Sequence, residues 1–459
     1  MGCDPIRIEP NRNPLRPTAR HSDQTQPIEE MAAARMERHV LKNIVSKLPV
    51  SDQLALYRSH KLVPEACTTL WRNTHKRLDF RTVEKDLCGK DLAYFLCTMV
   101  DDFKYVYFTA ERLQENLNVL EKSGVKALNS VQHCELLVGV EPPVKRHRGN
   151  GDQFEGTLPG APSMAQWPLH ALPKLLRNLR RLKVYCDVQV HFIEQFPQLE
   201  FLVLDAQVSQ SALTGVLERC SKLKRIFVKS DAQPLDVRRI GRCKQMQDVS
   251  LPVTIFNASR SFIIELPQLQ LLELTSNEEH RELAIESMRY VVEHKAADME
   301  IVQLDCAFLG GPFWIRDAEL QRCTRLRGLV LINCRFNDRE IVELNMPRVH
   351  KYLVFSGCHD LKEYQLLDML KMCPGLCELY LIDCPLLSGK VLQGIYRIRR
   401  SENTDFPISV VLSRCNAIRD DYQRLYASYW YFKLGTIKLE RMAEENRPIE
   451  DIQLFFYKN

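Results

Sequence analysis

Two nine-residue stretches share one pattern: LRGLVLINC at Leu326–Cys334 and LCELYLIDC at Leu376–Cys384. Both read L-x-x-L-x-L-x-x-C, and their starts lie 50 residues apart (376 − 326). Between them HKYLVFSGC, from His350, keeps apolar residues at the fourth and sixth positions. Upstream the pattern returns as LRRLKVYCD from Leu179, LEFLVLDAQ from Leu199 and LKRIFVKSD from Leu223. It continues as MQDVSLPVT from Met246, LQLLELTSN from Leu269 and MEIVQLDCA from Met299, and ends as PISVVLSRC from Pro407. Most of the ten starts lie 20 to 30 residues apart. A period of that length marks a stack of repeated units rather than a closed single core.

Elementary geometry gives each copy a shape. Side chains alternate along a strand, so the fourth and sixth positions share one face and enter the core. The third, fifth, seventh and eighth positions are then expected on the opposite, concave face. Stretches between copies, such as QSALTGVLERC (210–220) and YQLLDMLKMC (364–373), carry apolar residues at helical spacing and are expected as outer helices. After the strand the chain must turn, and a small side chain fits inside that turn. Asn277, Cys334, Cys358, Cys384 and Cys415 stand there, while Cys220, Cys243, Cys323 and Cys373 close the outer segments. Free cysteine behaves as a small buried hydrophobe, so these are expected to pack rather than react.

The composition excludes several classes. Lys+Arg 63 against Asp+Glu 58 leaves a net charge of +5 on 459 residues, too even for a nucleic-acid stripe. No apolar run reaches the ~18 residues of a membrane span, and the first 30 residues have no secretory apolar segment. The 16 cysteines therefore read as reduced thiols of a cytoplasmic or nuclear protein. They include no C-x-x-C pair, and Cys373 with Cys377 has no second pair at zinc spacing. The start MGC is followed by Ile6 where myristoylation wants Ser or Thr. No P-loop, G-x-S-x-G or H-E-x-x-H is present, so no catalytic residue, cofactor or metal is expected.

Ahead of the repeats, residues 36–80 read as three short helices. Met36, Val40, Leu41, Ile44, Val45 and Leu48 form one apolar stripe. Pro49 stops that helix, Ser51 and Asp52 can cap a second carrying Leu54, Leu56 and Tyr57, and Pro64 can start a third carrying Ala66, Leu70 and Trp71.

The C-x-x-L-x-x-L-x-L-x-x-C style resembles the cysteine-containing leucine-rich repeats, in which such repeats commonly follow an F-box. The stripe from Met36, then Leu48-Pro49, Asp52 and Leu54, resembles an F-box over roughly 45 residues. The family's usual Leu-Pro-acidic opening is replaced here by Met36, Glu37 and His39, and Trp71 stands further along than usual. The resemblance implies an α/β leucine-rich-repeat solenoid, a horseshoe, preceded by a small all-α F-box-like segment. It implies a substrate-recognition subunit of a Skp–cullin–F-box ubiquitin ligase, itself non-catalytic. Met36, Leu41, Ile44, Leu48, Pro49 and Leu54 would meet the Skp adaptor, and through it a cullin scaffold. The alternative is a leucine-rich-repeat scaffold or regulator with no ubiquitin role, its N-terminal helices serving as a cap.

The remaining divisions follow from composition. Residues 1–30 read as a disordered tail and 31–80 as the helical domain. Residues 81–140 read as degenerate first repeats or linker, with strands at 104–108 and 134–140 and a helix between. A disordered proline- and glycine-rich insert is expected over 141–163, where KRHR reads as a solvated loop in preference to a nuclear-import signal. The solenoid covers 164–415 and a C-terminal cap 416–459. On the concave face the early copies are basic with interleaved aromatics, the later ones more acidic and apolar. Tyr185, Phe201, Arg225, Phe227, Lys229, Tyr352 and Tyr380 are the candidates for holding a target protein, because aromatic and arginine anchors dominate interface energies.

Overall fold

The computed structural model describes residues 40–59, 63–137, 167–186, 190–229, 235–307, 309, 312–336, 345–401, 408–418, 420–421, 440–441 and 452–456. Met36, the tail to residue 30, the 141–163 insert and most of 416–459 lie outside them. The chain divides into two compact units, residues 1–76 with 81–99, and residues 77–80 with 100–459.

The first unit is helical. Its elements are α1 (residues 40–45), α2 (Val50–Ser59), α3 (Val63–Thr74), α4 (Phe80–Asp86) and α5 (Gly89–Met99). Pro49 ends the first segment as expected, and its carbonyl accepts from the amides of Asp52 (3.1 Å) and Gln53 (3.0 Å), so α2 starts at once. Ser51 and Asp52 consequently sit inside the first turn of α2 instead of capping it. Asp52 still places a carboxylate near the positive helix end. Pro64 occupies the first turn of α3, where its missing N–H costs nothing. Trp71 is the centre of packing. It is fully buried, stacks on Tyr57 at 5.4 Å and meets Phe95 edge-on at 5.4 Å.

The second unit is built on one sheet in which β1 to β13 lie side by side in chain order. Its parallel strands are β1 (Arg77–Asp79), β2 (Tyr105–Thr109), β3 (His133–Leu137), β4 (Arg181–Tyr185), β5 (Phe201–Leu204), β6 (Arg225–Val228) and β7 (Asp248–Pro252), followed by β8 (Leu271–Thr275), β9 (Ile301–Asp305), β10 (Gly328–Ile332), β11 (Tyr352–Ser356), β12 (Glu378–Ile382) and β13 (Ile408–Ser413). Parallel neighbours require a crossover between them. Helices supply several crossovers, among them Gln210–Arg219 and Glu363–Met372 in the two stretches where helical spacing predicts them. The Ser209 hydroxyl caps the former by accepting from the Ala212 amide at 3.3 Å. At the far edge the direction reverses: β15 (Ile452–Phe456) pairs antiparallel with β13, and β14 (Glu440–Arg441) with β15.

All ten sequence copies coincide with strands, β4 to β13. Their fourth and sixth residues form the core: Leu329, Leu331, Leu353, Phe355, Leu379 and Leu381 are each 0% exposed. The eighth position departs from expectation, since Cys186 and Ala206 are buried. There the chain already turns off the strand, which carries the side chain under the sheet. The fifth-position Val203 is also buried, between its larger neighbours Lys183 and Phe227.

The repeated cysteines act between units. The Cys358 thiol donates to the Leu331 carbonyl (3.6 Å), Cys384 to Phe355 (3.7 Å) and Cys415 to Leu381 (3.2 Å). Each acceptor is the sixth position of the preceding copy. The second set repeats the device, with Cys220 donating to Phe196 (3.6 Å), Cys243 to Cys220 (3.8 Å) and Cys373 to Pro347 (3.6 Å). Thiols are weak donors, so their value is fit: a small apolar group that also engages a buried carbonyl. Burial pushes the thiols of Cys220 and Cys358 up to about 12, and those of Cys243 and Cys323 up to about 11. No described helix is long and apolar enough to cross a membrane.

Candidate interaction face

The side chains pointing away from the core form rows across the sheet, because parallel pairing keeps equivalent positions in register. The third-position row runs Arg77, Tyr105, His133, Arg181, Phe201, Arg225, Asp248. It continues Leu271, Ile301, Gly328, Tyr352, Glu378, Ser409. The fifth-position row runs Asp79, Tyr107, Glu135, Lys183, Val203, Phe227, Ser250, then Glu273, Gln303, Val330, Val354, Tyr380, Val411. Every lysine and arginine in these rows lies on β1 to β6. From β7 onward the charges are Asp248, Glu273 and Glu378.

The basic end holds a cleft of about 380 Å³, lined by Arg77, Tyr105, Tyr107, His133, Glu135, Arg181, Lys183 and Phe201, with Val106 and Cys134 at its base. Its walls are rings. Tyr105 and His133 lie 4.4 Å apart, the Arg77 guanidinium stands 5.7 Å over Tyr105, and Arg181 stands 5.9 Å over Phe201. Lys183 pairs with Glu135 at 2.7 Å. Burial works against the Lys183 ammonium, but the Glu135 carboxylate outweighs it and raises its pKa. Burial lowers the His133 pKa, and the positive Arg181 and Lys183 lower it further. The imidazole is therefore neutral near pH 7, one nitrogen donating and the other accepting.

Five of the expected target-binding residues, Tyr185, Phe201, Arg225, Phe227 and Lys229, lie together on or just after β4 to β6. Phe201 and Phe227 pack at 5.5 Å. Arg225 binds Asp248 at 2.8 Å, whose carboxyl is raised by burial and drawn back down by that arginine. Lys229 reaches Asp205 at 3.5 Å, an exposed pair of little energetic weight. Tyr352 and Tyr380 form a separate cluster, with β7 to β10 between. The Tyr352 ring lies against Gly328, where any Cβ would overlap it. The Tyr380 hydroxyl donates to Glu378 at 2.7 Å, and burial together with that carboxylate pushes its phenol up to about 12.

Sequence reasoning missed Arg77, Tyr105, Tyr107, His133 and Glu135 as site residues. The alternation in KYVYF marks β2, but only register across strands brings these residues beside Arg181 and Phe201. β1, three residues long, carries no periodic signal.

In the helical unit the structure divides the expected adaptor set. Ile44 and Pro49 are exposed, Leu41 and Leu48 half-buried, and Leu54 is 0% exposed. Leu54 therefore packs the helices and presents nothing to a partner. Val40, one turn before Ile44, is 52% exposed and Ile44 54%, an apolar pair facing solvent at i, i+4. Among the described residues no three His, Cys, Asp or Glu side chains group as a metal site. No family model matches the chain, and no curated protein matches it.

Proposed function

We propose that the strand–crossover units are cysteine-containing leucine-rich repeats and that the chain is the substrate-recognition subunit of a Skp–cullin–F-box ubiquitin ligase. The helical unit grips the Skp adaptor, the open sheet face holds a target protein, and the chemistry belongs to other subunits, with proximity as this chain's contribution. The observation that carries the reading is the exposure of Val40 and Ile44 beside Pro49. A helix that served only to cap a sheet would bury its apolar residues, whereas an exposed i, i+4 apolar pair suits a groove on a partner. The rows of aromatic and charged side chains on β1 to β6 support the second half, because such groups anchor protein interfaces.

The test is co-purification of the full chain with the Skp adaptor from cells. Wild type retains the adaptor, and the double variant Val40→Asp with Ile44→Asp, altered only at exposed positions, loses it while keeping its circular dichroism spectrum. A wild-type chain that recovers no adaptor overturns the proposal.

A further inference from the structure

The cleft on β1 to β5 differs chemically from the rest of the open face. Its lining holds three permanent cations, Arg77, Arg181 and Lys183, against one carboxylate, Glu135. We infer that this cleft receives an anionic side chain, carboxylate or phosphate, from an acidic peptide segment of the bound target. The inference rests on the reading of the open face as target-binding.

Four observations carry it. Among the described residues Arg181 has a ring contact with Phe201 and no carboxylate at ion-pair distance, so its guanidinium, which acts on Glu200 only through the longer-range field, lines the cleft without a direct acid partner. Lys183 is held by Glu135, a side chain that an incoming carboxylate or phosphate can replace as partner. His133 adds a neutral N–H donor within the same lining. Tyr105 and Phe201 give flat apolar walls for the residues flanking the anion. About 380 Å³ is at the small end of ligand sites and suits one side chain with its backbone.

The charge pattern selects a peptide over a nucleic acid. A phosphate backbone needs cations spaced along its whole path. Here the third- and fifth-position rows turn to Asp248, Glu273 and Glu378 from β7 onward. A polyanion would run onto these acids, whereas a target with a short acidic segment need not.

The experiment probes the full chain on an array of immobilised random octapeptides whose central residue is fixed as Glu, phosphoserine, Ser or Lys. Glu- and phosphoserine-centred peptides are expected to capture at least fivefold more protein than Ser-centred ones, with Lys weakest. Phosphoserine above Glu assigns phosphate as the ligand group, and equal capture assigns carboxylate or phosphate alike. Arg181→Glu with Lys183→Glu should abolish the preference, bringing capture by acidic peptides down at least fivefold to the Ser-centred level. Glu135→Gln, which frees Lys183, should raise capture by acidic peptides about threefold, a gain that a merely structural pair would not produce. Equal capture by all four centres, a preference surviving the charge reversal, or stronger capture by random single-stranded RNA than by any peptide overturns the inference. Adaptor recovery without acidic preference would reject the cleft assignment alone. Acidic preference without adaptor recovery would reject the ligase reading alone.

Discussion

Trp71 donates its indole N–H to the side-chain oxygen of Gln53 at 2.6 Å, and the same amide donates onward to the Leu48 carbonyl at 2.8 Å. One buried glutamine thus ties α3 to the chain just before Pro49. Gln53→Leu leaves the indole donor and the Leu48 carbonyl without this partner. An unsatisfied buried polar group costs about 1–3 kcal/mol, and the Leu48 carbonyl is only half-buried, so a loss of about 1–3 kcal/mol from the indole is expected in urea unfolding followed by tryptophan fluorescence. An unchanged midpoint would mean that water replaces the glutamine.

Gly328 and Tyr352 form a second dependent pair. A methyl group at 328 must displace the Tyr352 ring, so Gly328→Ala should destabilise by about 1–3 kcal/mol, as overpacking does. In a Tyr352→Ala background the same change should cost well under half as much, since the clashing ring is gone. Equal costs in both backgrounds would place the strain in the backbone instead.

The inter-repeat cysteines predict a labelling order. Cys88 and Cys97 are exposed, whereas Cys220, Cys243 and Cys358 are buried with thiols raised to about 12, 11 and 12. The thiolate is the nucleophile. Iodoacetamide at pH 8 should therefore modify Cys88 and Cys97 in the native protein and reach the other three only after urea. Peptide mass mapping reads the order, and early modification of Cys358 would contradict it.

Two histidines set an acid sensitivity. Burial lowers the pKa of His75, against a smaller opposing pull from Asp86, and burial with Arg181 and Lys183 lowers that of His133. In the unfolded chain both titrate near ~6.5. Between the two states the unfolded chain binds more protons, so stability rises with pH. The contribution is complete above the unfolded value and is lost progressively as pH falls below it. The urea midpoint should drop between pH 7 and pH 5, and drop less in His75→Gln. An identical pH slope in that variant would assign the effect to other groups.

Much of the sheet could be read before any coordinates. The ten copies fall on β4 to β13 because period and alternation act together, and Leu329 with Leu331 or Leu379 with Leu381 leaves no second register. The helical stretch was legible in outline: Pro49 and Pro64 set its breaks. What was hidden depends on relations between elements. Leu54 and Ile44 belong to the same kind of apolar stripe, yet helix packing buries one and exposes the other. Arg77 is separated from Arg181 by 104 residues of chain (181 − 77), and they share a cleft only because four parallel strands align their third positions. Tyr352 and Phe201 look equivalent as aromatic residues at that position. The strands between them put them in different clusters.

Among the described residues each strand from β2 to β12 pairs only with the strand before it and the strand after it. The open face is accordingly composed column by column, and no column depends on a distant one for its pairing. Duplication or loss of the β8 or β9 unit would leave the basic cleft and the Tyr352–Tyr380 cluster, with the Gly328 on which Tyr352 packs, intact and change only the gap separating them. That gap moves in whole steps of about 4.8 Å, the spacing of neighbouring strands. Descent could in this way refit the same two grips to a target of another length.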